Sequence, residues 1–272
     1  SVEVSDAGAP LAQAAAGEGL SPAALVVRPG GGIEVRSTSA EDSHVKLERV
    51  EWIDRAATAA FVSTVPEFRR LFSGEVLEPG VALKIGRIAL LFSDLSASTA
   101  LYARAGDAPA FRLVRDSFEV LRDAVEEHGG AIVKTIGDAV MAAFSTDEGA
   151  VRAAVAMQRA FPEFIRRYRY AEGIDLKLGV HCGPCFAVTA NGVLDYFGQT
   201  VNIAARLQGE ARAGELVLAK DLTEAATAGG WLGDAVVTDR CAAMLKGFDA
   251  PVSIARIRSA IRAVPPGTLA LG

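Results

Sequence analysis

The strongest constraint in this sequence is a short run, Ile88-Ala89-Leu90-Leu91-Phe92, that is apolar at every position and breaks directly into Ser93-Asp94. A strand with one wet face alternates apolar and polar residues, so an unbroken run demands a sheet covered on both faces. The run is strand-sized and far below the roughly 20 residues that cross a bilayer. Behind it, Phe111, Val114, Phe118, Leu121 and Val125 recur at spacings of three and four, the mark of an amphipathic helix, which Gly129-Gly130 ends. Ala131–Ile136 and Ala139–Phe144 read as two strands around Gly137-Asp138, and Val151, Ala154, Met157, Phe161 and Phe164 mark a second helix. Leu176–His181 and Phe186–Thr189 are expected to form a hairpin turned by Gly183-Pro184. A third helix covers about Thr200 to Glu210, with short strands at Glu215–Ala219 and Val252–Ile257. Strand–helix–strand–strand–helix–strand is the split βαβ order of ferredoxin-like α/β (α+β) folds.

The remainder divides by composition. Residues 1–32 are rich in Ala, Gly and Pro, end in Pro29-Gly30-Gly31-Gly32, and read as a flexible leader. Residues 33–84 form a small N-terminal α/β segment, either a relay for an upstream signal or a packing appendage. It has strands at Ile33–Arg36 and His44–Trp52, then a helix capped by Asp54 that runs to Phe72 and is kinked or divided at Pro66. Residues 85–260 are the expected catalytic domain and 261–272 a tail. With 28 Lys+Arg against 33 Asp+Glu the net charge is −5, and half the residues are hydrophobic. That composition excludes a disordered or coiled-coil chain and the basic field of a general nucleic-acid or anionic-membrane binder. The start lacks the basic cluster of a secretory signal, and three cysteines are too few for a disulfide framework, so a cytoplasmic setting is expected. Opening on Ser rather than Met fits a piece of a longer chain, whose missing part could hold a sensor.

Two aspartates stand where chemistry is expected: Asp94 just past the apolar strand and Asp138 at the Gly137 turn. Carboxylates at the ends of neighbouring buried strands are hard oxygen ligands on rigid supports, as a Mg²⁺ pair with substrate phosphates requires. Singly, each is more readily an Asx turn capping a helix or a hairpin. Ser96-Ala97-Ser98-Thr99 leads into a helix whose first amides suit a phosphate. Asn202 and Arg206 lie four apart and share a helix face, an arrangement suited to a ribose and a developing phosphorane charge.

Together these segments carry a resemblance. Asp195-Tyr196-Phe197-Gly198-Gln199-Thr200-Val201-Asn202-Ile203-Ala204-Ala205-Arg206-Leu207 resembles the signature of class III nucleotidyl cyclases, the adenylate and guanylate cyclase family. Phe92-Ser93-Asp94-Leu95 with Ser98-Thr99 is similar to the first metal motif of that family, and Lys134-Thr135-Ile136-Gly137-Asp138 to the second. Gly179-Val180-His181 with Gly183-Pro184 is similar to its central hairpin and Leu245-Lys246-Gly247 to its C-terminal lysine, all in family order across residues 86–258. The resemblance implies two divalent cations, Mg²⁺ or Mn²⁺, on Asp94, Asp138 and the Leu95 carbonyl. It implies transition-state and ribose roles for Arg206 and Asn202, and triphosphate binding by Ser96, Ala97, Ser98, Thr99 and Lys246. Lys134 and Asp195 match the base-recognising pair of adenylate cyclases, where guanylate cyclases usually carry Glu and Cys or a small residue. ATP, converted to 3′,5′-cyclic AMP and pyrophosphate, is therefore expected over GTP. The alternatives are a guanylate cyclase or a catalytically weak, nucleotide-binding regulatory domain. Because the family splits the site between protomers and this chain carries both halves, a head-to-tail homodimer with two composite sites is implied. Ala97 departs from the family, which often has Gly there.

Cys182-Gly183-Pro184-Cys185 spells a thioredoxin-like motif, but it lies between strand-like runs with no helix to stabilise a thiolate, so no redox role is expected.

Overall fold

A computed structural model describes residues 2–16, 20–21, 25–37, 57–72, 77–78, 81–248 and 250–260. The chain separates into two compact units, Ser1–Ala56 and Ala57–Gly272. Expected boundaries at residues 32 and 84 differ from this division.

The first unit holds β1 (Val2–Ala16), β2 (Leu20–Ser21) and β3 (Leu25–Ser37) in a three-stranded sheet of order β2-β1-β3, with β1 and β3 parallel. The flexible leader expected over 1–32 is thus largely strand. Its Ala- and Gly-rich stretches from Ala7 to Gly32 show little period-2 alternation, and backbone pairing, which periodicity does not register, builds the sheet. The strand expected at His44–Trp52 and the Asp54 cap lie outside the described residues.

The second unit opens with α1 (Ala59–Val62) and α2 (Pro66–Leu71), the expected helix divided at Pro66, which takes the first position of α2. Thr58 caps α1, its hydroxyl accepting from the Phe61 amide at 3.1 Å. Then follow β4 (Ala82–Leu95), α3 (Ser98–Ala105), α4 (Asp107–Glu127), β5 (Gly130–Ile136), β6 (Ala139–Phe144), α5 (Asp147–Arg166), β7 (Leu176–Ala190), β8 (Val193–Phe197), α6 (Gln199–Glu210), β9 (Glu215–Ala219), α7 (Lys220–Ala228), β10 (Val236–Ala243) and β11 (Val252–Arg258). The sheet order is β10-β11-β9-β7-β4-β6-β5, with β8 hydrogen-bonded to β7 off this path. Its β7-β4-β6-β5 portion with α4 and α5 is the split βαβ arrangement.

The apolar run is covered on both faces, as its composition demands. Ala89 and Leu91 pack with Leu113, Leu121, Val151, Met157 and Phe161 of α4 and α5. Leu90 and Phe92 pack on the other side with Met141, Ala143, Cys185, Tyr196 and Ala204. Asp94 continues the Leu90-Phe92 series, so strand alternation carries it to the α6 side.

The expected hairpin at Gly183-Pro184 is instead one continuous strand, β7. Pro184 falls where the β4–β7 register shifts between Ile85/Cys185 and Ile88/Gly183, so no ladder bond is lost to its missing N–H. The reversal comes at Asn191-Gly192, whose φ values of 53° and 77° are those of a type I′ hairpin turn. Gly179 and Gly183 serve a different purpose: they let α6 approach the sheet. A Cβ at Gly179 would lie 2.2 Å from the Gln208 amide nitrogen and 2.7 Å from its Cα; one at Gly183 would meet the Thr200 hydroxyl at 2.7 Å. That hydroxyl donates to the Pro184 carbonyl at 2.6 Å.

Gly179→Ala is expected to push α6 off β7, since backbone cannot yield as a flexible side chain does. Equilibrium urea unfolding should show a loss of about 1–3 kcal/mol, and Gly183→Ala a smaller one.

Candidate functional site

Two carboxylates meet at one end of the sheet. Ser93 of β4 pairs with Val140 of β6, which sets Asp94 beside the two-residue turn between Ile136 and Ala139 that carries Asp138. Gly137 takes φ 64° in that turn, a conformation glycine adopts without strain. Burial, then the charge of Asp138, raises the Asp94 carboxyl above the ordinary aspartate range. Lys177, directly across the β4–β7 pair, and Gln208 of α6 act in the opposite direction. Neither Lys177 nor Gln208 was singled out from the sequence, because both need a strand register or a helix seat to be placed. Asp138 Oδ2 is buried without a hydrogen-bond partner. Repelling carboxylates, one with an orphaned oxygen, form an environment that a hard divalent cation would satisfy. Among the described residues no group of three or more His, Cys, Asp or Glu is gathered to hold a metal. Such a cation would therefore draw its other ligands from carbonyls, water and substrate oxygens.

The segment after Asp94 divides its functions. Ser96 is tied to Asp175: its amide donates to the Asp175 carbonyl at 2.7 Å, and its hydroxyl accepts from the Asp175 amide at 2.9 Å. The Ser96 amide is thus committed to the fold and is not a free phosphate donor, a correction to the expected cradle. Ser98 and Thr99 open α3, where amides lack an intrahelical acceptor. Ala97, just before them, adopts φ 55° and ψ 27°. This left-handed conformation costs an L-residue about 1 kcal/mol, a cost glycine does not bear.

A second group lies along β5, β8 and α6. Lys134 Nζ donates to Asp195 Oδ2 at 2.5 Å, joining β5 to β8. The Asp195 side chain is 8% exposed and that of Lys134 36%. Asp195 Oδ1 accepts from the Tyr196 amide at 2.8 Å, which fixes the carboxylate plane. Asn202 and Arg206 are both exposed, one turn apart on α6. Lys246 is exposed in the turn between β10 and β11, beside Leu245, which is buried in a cluster with Leu207 of α6. No hydrogen bond or ion pair among the described residues joins this group to the aspartate pair.

Cys182 and Cys185 lie on opposite faces of β7, Cys182 against the α4–α5 core and Cys185 in the α6-side cluster. Burial pushes both thiols up, Cys185 to about 11, the reverse of what a nucleophilic thiol needs.

This arrangement has known counterparts. The chain matches the family model described as Adenylate and Guanylate cyclase catalytic domain over residues 81–248, more than half its length, and belongs to that family. It is 35% identical over 184 residues to Uncharacterized protein Rv2212 of Mycobacterium tuberculosis, a match covering 68% of this chain and 44% of that one. It is 30% identical over 201 residues to Adenylate cyclase of Lachancea kluyveri, covering 66% of this chain and 10% of that protein. The chain therefore spans less than half the length of these relatives. In fold it is similar to the adenylyl cyclase CyaB from P. aeruginosa, with TM-score 0.58 and 22% identity over 68% of this chain and 100% of that one. It is equally similar to the guanylyl cyclase Cya2, with TM-score 0.57 and 19% identity over 65% and 94%. Fold alone does not choose the base. No helix among the described residues is long and apolar enough to cross a membrane.

Because the folded state raises the Asp94 pKa, its ionised form destabilises the fold at neutral pH. Asp94→Asn is expected to unfold at higher urea than wild type at pH 7 in EDTA. The gap should close as pH falls through the raised value toward about 3.9, the ordinary aspartate pKa. Added Mn²⁺ should stabilise wild type and leave Asp94→Asn unmoved.

Proposed function

We propose that this chain is an adenylate cyclase that converts ATP to 3′,5′-cyclic AMP and pyrophosphate, with residues 85–260 as its catalytic domain. The observation that carries the choice of base is the Lys134–Asp195 contact. A cationic donor beside a carboxylate acceptor matches adenine, whose N1 accepts and whose N6 amino group donates. Guanine presents the opposite polarity there and would leave both charged groups unpaired in a partly buried site.

Two divalent cations, Mg²⁺ or Mn²⁺, held by Asp94, Asp138 and the Leu95 carbonyl, would supply the charge that acidifies the ribose 3′-hydroxyl and neutralises the triphosphate. The chain's own residues position and stabilise. Lys134 donates to N1, and Asp195 accepts from N6. Asn202 orients the ribose so that its 3′-oxygen stands in line with the α-phosphorus. Arg206 stabilises the charge on the α-phosphoryl oxygens as the 3′-oxygen attacks and pyrophosphate leaves. Lys246 and the first amides of α3, at Ser98 and Thr99, hold the terminal phosphates. Among the described residues no hydrogen bond or ion pair joins Asp94 or Asp138 to Lys134, Asp195, Asn202, Arg206 or Lys246, and a head-to-tail homodimer with two composite sites would bring the two groups together across the interface.

Purified protein incubated with Mn²⁺ and ATP or GTP, with products resolved by chromatography, should yield cyclic AMP and little cyclic GMP. The reverse preference overturns the base assignment, and no product from a verified dimer overturns the enzyme assignment. Lys134→Glu with Asp195→Cys should narrow the ATP-over-GTP ratio of kcat/KM by roughly a hundredfold, the worth of two charge-assisted hydrogen bonds.

Asp94→Ala and Arg206→Ala should each be inactive alone. Mixed one to one, random assembly makes about half the dimers mixed, each with one intact site, so activity should return to about a quarter of wild type. Absence of recovery despite exchange of subunits would rule out shared sites.

A further inference from the structure

We infer that Arg69, in α2 ahead of the catalytic segment, is the positioning residue that sets Asp195 for base recognition. The inference rests on the reading of Asp195 given above. β8 is hydrogen-bonded to β7 on one side and stands off the main path of the sheet, so its placement needs a second support. That support comes from α1 and α2. Arg69 Nη1 donates to the carbonyl of Leu194, the residue before Asp195, at 3.0 Å. Its Nε donates to the Ser63 carbonyl at 2.6 Å, and its guanidinium lies over the ring of Tyr196, 5.2 Å from the centroid. The Tyr196 hydroxyl donates to Ser63 Oγ at 2.7 Å, and Ser63 Oγ donates to the Ala60 carbonyl at 2.8 Å. Ser63 and Tyr196 are fully buried.

The residues on both sides of Asp195 are thus pinned by one short segment 125 positions away in sequence. Asp195 Oδ1 takes its own bond from the Tyr196 amide, so turning that peptide turns the carboxylate. Only a planar fork spans two carbonyls while lying flat on a ring, and a lysine does not reproduce it. A displacement of α1–α2 is therefore felt as a change in nucleotide affinity, while Arg206 and the aspartate pair stay in place.

The test uses the whole chain with Arg69→Met, which keeps the apolar stem, in wild-type and Asp195→Ala backgrounds. Readouts are steady-state kinetics and binding of fluorescent methylanthraniloyl-ATP and -GTP, with circular dichroism to verify folding. Arg69→Met should raise the KM for ATP and the Kd for the ATP probe about tenfold, the worth of one charge-assisted hydrogen bond. It should narrow the ATP-over-GTP preference by a similar factor and change kcat by less than about twofold. In the Asp195→Ala background the same substitution should alter probe binding by less than about twofold, because the shared target is gone. Unchanged KM and Kd, an equal loss for both nucleotides, or the same tenfold effect without Asp195 would each overturn the inference. Should Arg69→Met fail to fold, Ser63→Ala removes the nearer of the two Ser63 oxygens that accept from the Tyr196 hydroxyl and takes the same test, with a smaller shift in the same direction. A wild type that does not prefer ATP defeats the adenine reading separately; the coupling between positions 69 and 195 in probe binding then still decides the role of Arg69.

Discussion

Helix α6 reaches the sheet because Gly179 has no side chain, and much of the site depends on that contact. The Gln208 backbone occupies the space a Cβ would fill, which brings the Gln208 side chain beside Asp94. The preceding residue, Leu207, is fully buried with Leu245, worth about 2 kcal/mol of apolar burial, and so ties α6 to the turn that presents Lys246. Nearer the start of the helix, Asn202 and Arg206 project on the exposed face. One close approach of backbone to backbone thus aligns groups from three separate stretches of chain. Side-chain packing alone would leave this seat looser, because rotamers relax where backbone atoms do not.

Electrostatics differ sharply between the two halves of the site. Around Asp94 and Asp138 negative charge is in excess, with one carboxylate raised by burial and its neighbour and one oxygen left without a donor. The folded state bears this cost in the absence of cations, and Lys177 across the strand offsets part of it. At Lys134 and Asp195 the charges are paired and nearly in contact. On the proposed reading the first half would attract cations and the phosphates they carry, while the second offers a directional donor–acceptor pair of opposite charges. Such a division suits a substrate with an anionic end and a neutral, edge-patterned end.

Much of this was legible in the sequence, for identifiable reasons. The central strand and the helices α4 and α5 announce themselves because burial on two faces leaves an unbroken apolar run at 88–92 and burial on one stripe leaves unmistakable periodicities at 111–125 and 151–164. The candidate site residues were proposed from local strings that keep strand ends and turns together, as in Ile136-Gly137-Asp138. What was not legible depends on long-range geometry. Gly183-Pro184 looks like a turn, yet in β7 it answers a register shift and the approach of Thr200. The true turn, Asn191-Gly192, carries a strong hairpin dipeptide that the more conspicuous Gly-Pro eclipsed. Ser96 sits in a phosphate-like loop, but its amide is claimed by Asp175, distant in sequence. Of the strands within residues 2–37 only the Ile33–Arg36 part of β3 was read, because the alanine- and glycine-rich stretches before it have too little side chain to form a pattern.

On the adenine reading proposed above, the Lys134–Asp195 pair bears on how selectivity would arise. In the free chain each group already satisfies the other, so a base does not meet two unpaired charges eager for any partner. It must exchange an existing charge-assisted contact for two of its own. A purine with matching polarity makes that exchange close to even, and stacking and phosphate contacts then supply the net affinity. A purine with opposed polarity breaks the pair and replaces it with donor facing donor and acceptor facing acceptor, each a full desolvation cost with no return. On that reading discrimination would come mainly from the penalty on the wrong base rather than from extra attraction for the right one. It persists only while Asp195 stays fixed, since a mobile carboxylate could rotate to evade the clash. Hence the rigidity of β8 belongs to the specificity of the site as much as the identities of the two charged residues do.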